Sequence, residues 1–91
     1  MKKELKNGFK FNIAEDAIDD LELAEEIAEG DAGNPAGYIK AMKRLLGDDQ
    51  YDKLKSHLRD EKTNRIKLTT FGDVLTEVID LATSENDSKN S

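Results

Sequence analysis

A chain of 91 residues, 36% apolar and 37% charged, with no cysteine and a net charge of −6, suffices for one small domain with a thin core. The composition excludes disulfides and thiolate metal sites, and no run approaches the roughly 20 apolar residues that span a bilayer. Overall acidity argues against nucleic acid as the partner, and a soluble, cytoplasmic protein is expected.

The charge lies in blocks. Residues 1–13 carry +3, residues 14–37 carry −9, residues 38–67 carry +4 and residues 68–91 carry −4. An acidic segment followed by a basic one predicts attraction within the chain or head-to-tail association of copies, so a homo-oligomer is expected. The basic start, MKKELKNGFKFNI, lacks the apolar centre of a secretory signal.

Asn7-Gly8 is a turn signal, and Phe9 to Ile13 alternate apolar with polar residues, which predicts a short extended segment with Phe9, Phe11 and Ile13 on one face. With no obvious partner strand, residues 1–13 are read as an extended N-terminal arm. It either lies across the helices or pairs with a second copy. A helical domain over 14–82 follows, with four helices at about 16–29, 35–46, 49–59 and 70–82, giving an all-α fold class.

In the first helix Ala14, Ala17, Ile18, Leu21, Ala24 and Ala28 recur at spacings of three and four, and Leu23 and Ile27 broaden the stripe. Gly30 and Gly33 break it. Asn34 and Pro35 open the second helix as N-cap and first helical residue. There Tyr38, Met42 and Leu45 share a face, and Gly47 is placed as the C-terminal cap. Asp48 or Asp49 caps the third helix, whose apolar residues are Tyr51, Leu54 and Leu58. Thr69 or Thr70 caps the fourth, with Phe71, Val74, Leu75, Val78, Ile79 and Ala82 as its apolar face. The polar, aperiodic residues 83–91 are expected to be a disordered tail.

Catalytic chemistry finds no footing in these residues. His57 is the single histidine, and three of the four serines (Ser84, Ser88 and Ser91) lie in the tail, so neither a nucleophile with its base nor a metal set is complete. Calcium loops starting at Asp31 or Asp48 would need glycine at position 6, where Ala36 and Lys53 stand. Gly30 and Gly33 lack the strand-to-helix context of a phosphate cradle. A carrier protein would need a serine opening a helix after aspartate, whereas Ser56 follows Lys55 in mid-helix. No enzyme, no cofactor and no metal are expected.

The segment LLGDDQYDKLKSHLRDE, preceded by an acidic helix and a Gly-Asn-Pro helix start, resembles the short tail assembly chaperones of long-tailed bacteriophages. Leu45, Leu46, Gly47, Asp49, Gln50, Tyr51, Leu54, Leu58, Arg59 and Asp60 carry the likeness, which extends from about Asp16 to Ala82. A basic lead-in and a short loop at 60–67 depart from the family pattern. The resemblance implies a non-enzymatic protein that holds the tape-measure and tail-tube proteins during tail morphogenesis in the host cytoplasm. The competing expectation is a small helical regulatory adaptor or anti-repressor. Candidate protein-binding residues are Tyr38, Met42, Tyr51 and Arg59 on the middle helices and Glu22, Glu25 and Glu26 on the acidic one. Tyr38, Met42 and Tyr51 serve equally well to complete the core, and the acids to form a solvated face.

Overall fold

Asn7 and Gly8 reverse the chain, and in the computed structural model the reversal joins two strands. The structure describes residues 1–90, with side chains for residues 1–83. Strand β1 (Lys2–Glu4) pairs antiparallel with β2 (Lys10–Asn12), Lys3 lying opposite Phe11. Gly8 takes φ 91°, as a bulged three-residue hairpin loop requires. Its N–H donates to the Leu5 carbonyl at 2.9 Å, and Asn7 Oδ1 accepts from the Phe9 N–H at 2.9 Å. The N-terminal arm is therefore a hairpin rather than a single extended segment. Its partner strand is the charged run Lys2-Lys3-Glu4, which has no apolar alternation of its own to announce it. Leu5, Phe9, Phe11 and Ile13 are buried and carry the hairpin into the core.

Helix α1 (Leu21–Asp31) begins five residues later than the expected start at 16. Residues before it form isolated turns, the Ala17 and Asp19 N–H groups donating to Ala14 and Asp16. Asp20, extended at φ −148°, then caps the helix through Oδ1, which accepts from the Glu22 and Leu23 N–H groups at 2.9 and 3.4 Å. A carboxylate at the N-cap satisfies donors that a continued helix would leave to its own backbone. At the other end Gly33, at φ 108°, donates to Gly30 O and Asn34 donates to Glu29 O. This paired closure stops the helix.

The chain has three helices among the described residues, not the expected four. The pair expected over 35–46 and 49–59 is one element, α2 (Ala36–Leu58), and its backbone leaves helical geometry only at Gly47, with φ 79° and ψ 163°. That conformation belongs essentially to glycine, and a single residue suffices to kink the helix without a linker. Gln50 repairs the break, its Nε2 donating to the Leu46 carbonyl at 2.8 Å. Helix α3 (Leu68–Asn90) starts two residues before the expected 70. The Lys67 carbonyl accepts the Phe71 N–H at 3.0 Å, so Thr69 and Thr70 lie inside the first turn. The disordered tail expected over 83–91 falls, from 84 onward, outside the residues whose side chains are described.

One core unites these elements. Met42, Leu54 and Val78 are its most deeply buried large side chains, taken from both halves of α2 and from α3, with Phe9, Phe11 and Ile13 of the hairpin in the same cluster. Helix α1 enters it through Leu23, with Ile27 packed at its edge. The other stripe on that helix, Leu21, Ala24 and Ala28, faces solvent.

Candidate functional site

Two surfaces of α2 receive neighbours in different ways. On the first, α1 crosses so closely that Gly30 and Gly37 are both buried. A Cβ on Gly37 would collide with the Glu26 carbonyl oxygen and stand 2.5 Å from the Gly30 nitrogen. The Tyr38 ring covers Gly30, and its hydroxyl donates to Asp31 Oδ1. That hydrogen bond, reinforced by desolvation and by the Asp31 charge, raises the Tyr38 pKa. Arg44 ties the same helices electrostatically. It holds Glu26 in a two-pronged pair at 2.8 and 3.2 Å and reaches Asp20 at 3.7 Å and Glu22 at 4.0 Å. Lys40 meets Glu29 at 3.7 Å. Part of the acidic block is thus neutralised by its own chain.

The second surface is open. Between α2 and the first turn of α3 runs an apolar groove with two lobes that share Leu68, itself 53% exposed. One lobe, about 150 Å³, is lined by Ile39, Tyr51, Lys55, Ile66, Leu68 and Phe71. The other, about 450 Å³, is lined by Gly30, Gly33, Pro35, Tyr38, Leu68, Thr69 and Gly72. Tyr51 stands edge-on to Phe71, with centroids 6.2 Å apart and planes at 84°. The Lys43 and Lys55 ammonium groups lie 5.3 and 4.8 Å from the Tyr51 ring centroid, within the range of cation–π attraction. Burial, and then the Asp52 charge, raise the Tyr51 pKa, so its phenol stays protonated at neutral pH. An apolar trough with aromatic walls and a cationic rim suits an apolar side chain flanked by carboxylates.

The seven expected binding residues are dispersed. Tyr38 and Tyr51 line different lobes of the groove. Met42, at 0% exposure, presents no surface to a partner. Arg59 is exposed, its guanidinium donating to the Asn64 carbonyl at 3.1 Å and bracing the loop that leads to α3. Glu26 and Glu22 belong to the Arg44 cluster, and Glu25 is exposed on the outer side of α1. Leu68 and Ile66 escape sequence reasoning because they read as the lead-in to a helix. A leucine standing before two cap-type threonines was the available signal.

Gln50, His57 and Glu77 join the hairpin to the helices. Gln50 Oε1 accepts the Asn12 N–H at 2.6 Å and its Nε2 donates to the Asn12 carbonyl at 2.8 Å, so one amide pairs with the outer edge of β2 as a strand would. His57 Nε2 donates to the Asn7 carbonyl at 3.1 Å, and its ring lies 5.6 Å from that of Phe9. Glu77 of α3 accepts the Lys6 N–H at 2.7 Å. Among the described residues no cluster of three His, Asp or Glu is placed to hold a metal ion, and no helix is long and apolar enough to cross a membrane. No protein-family model, no curated protein and no solved structure matches the chain.

Proposed function

We propose that this protein works without catalysis, by holding an apolar segment of a protein client in the groove at the start of α3. The observation that carries the reading is the exposed Leu68 at the junction of the two lobes, between Tyr51 and Phe71 on one side and Tyr38 on the other. Covering a leucine left half in water is favourable, and convergent aromatic walls mark the surfaces where protein anchors seat.

The client we assign is the tape-measure protein of a long-tailed phage, together with the tail-tube protein, making this a tail assembly chaperone. That assignment rests on the sequence cadence from Leu45 to Asp60 alone. The geometry is compatible with it, since a holdase for a long helical client needs an apolar groove and charge rather than a reaction centre. Co-expression with a tape-measure protein of a long-tailed phage, followed by pull-down, tests the proposal. Retention by the natural chain and its loss in Leu68→Asp are expected. Absence of retention at both low and moderate salt overturns it.

A further inference from the structure

The two large apolar residues exposed among the described ones lie on opposite partners of a charge pattern. Leu21, at 76% exposure, opens α1 and is followed on the same side by exposed Ala24 and Ala28. The i, i+3, i+7 spacing makes a continuous ridge about 10 Å long, narrow because two of its three residues are alanine. Glu25, exposed, and Glu22, exposed at the edge of the Arg44 cluster at 4.0 Å, flank it. Leu68 borders the smaller lobe of the groove, whose rim carries Lys55 in the lining and Lys43 against the Tyr51 ring. Asp52, 3.7 Å from Lys55, is the carboxylate already facing that rim.

We propose that the Leu21 ridge of one copy docks into the Leu68 lobe of a second copy. Leu21 enters the lobe of about 150 Å³, and Glu22 and Glu25 approach Lys43 and Lys55. The same chain cannot supply both sides. Its α1 is locked against α2 by the Gly30–Gly37 crossing and by Arg44, with the ridge turned away from the core. Ridge and lobe are different surfaces, so one such contact leaves a free ridge on one copy and a free lobe on the other; two copies that do not pair reciprocally add further copies head to tail until a ring closes or a filament grows. Exposed charge pairs make it salt-sensitive. The lobe is also half of the proposed client groove, so a bound client displaces the neighbouring copy.

Sedimentation velocity on the full chain, from micromolar to millimolar concentration and at low and high salt, tests the contact. The natural chain gains mass with concentration, less so in high salt. Leu21→Asp and Leu68→Asp each lower the association constant by about tenfold or more, the loss expected for one buried leucine. Both sites are exposed, so circular dichroism of each variant matches that of the natural chain. An equimolar mixture of the two variants restores a dimer and nothing larger, because one variant keeps the ridge and the other keeps the lobe. A natural chain that stays monomeric throughout, a Leu21→Asp chain that associates undiminished, or a mixture that forms no dimer overturns the proposal. Pull-down of the client by Leu21→Asp separates the two readings, since that variant loses self-docking and keeps the client groove.

Discussion

Helices α1 and α3 pack on the same kinked helix, and they do so in opposite ways. At the α1 crossing backbone nearly touches backbone, with Gly37 against Glu26 and Gly30, and Arg44 clamps the outside. At the start of α3 Tyr51 meets Phe71 edge-on, but Leu68 stays half in water beside an open groove. Close packing leaves nothing for a partner to bind, whereas an unfilled apolar junction of this kind remains available. The contrast fits the first surface to stability and is the ground on which we propose recognition for the second. It also explains why the acidic block, conspicuous in the sequence, is in part an internal fastening.

Substitutions that break this comparison have graded effects. Gly37→Ala is the most severe, because the new methyl meets backbone that cannot step aside; a loss of about 3 kcal/mol is expected from overpacking of this kind, read by urea unfolding. Gln50→Ala comes next. It removes the partner of the outward N–H and carbonyl of Asn12 and of the Leu46 carbonyl, water taking its place at the exposed edge, for a loss of about 1 kcal/mol, with faster amide exchange at Asn12 as the local signature. Arg44→Ala costs less, its cluster being partly solvated, and the difference from the natural chain shrinks as salt rises.

The smallest effect is a pH dependence at the loop between α2 and α3. Asp60 accepts the Lys62 and Thr63 N–H groups at 2.7 and 3.0 Å. These backbone hydrogen bonds, Thr63 foremost, hold its carboxyl below the ordinary value of 3.8, with Lys67 adding to the shift. The folded chain therefore binds this proton less readily than the unfolded chain. The contribution is complete above the ordinary carboxylate range and fades as pH falls through the depressed folded value. Thermal melts of the natural chain and Asp60→Asn should converge as pH is lowered through that interval.

Much of the core was legible in the residues. Phe9, Phe11 and Ile13 alternate onto one face and are buried together, and the periodic apolar residues of α3 from Phe71 to Ala82 line the core. Local pattern was less informative where a tertiary partner decides the outcome. The strand Lys2–Glu4 is charged and is strand only because β2 lies beside it. Gln50 looks like an ordinary helical surface residue until it meets Asn12 across 38 positions of sequence. In α1 two apolar stripes compete. The longer one, through Leu21, Ala24 and Ala28, stays exposed, because the glycine crossing turns Leu23 and Gly30 inward instead. The groove was invisible for a related reason: it arises where α3 starts relative to α2, and no single segment encodes that offset.

The most direct test of the division between fastening and recognition is a paired measurement on Gly37→Ala and Leu68→Asp. Each variant is melted and each is used to pull down the co-expressed tape-measure product at a temperature where it is folded. Gly37→Ala should melt well below the natural chain while retaining the client in its folded fraction. Leu68→Asp should melt as the natural chain does and retain none. A Leu68→Asp chain that melts as low as Gly37→Ala, or that holds the client undiminished, would contradict the assignment of the groove.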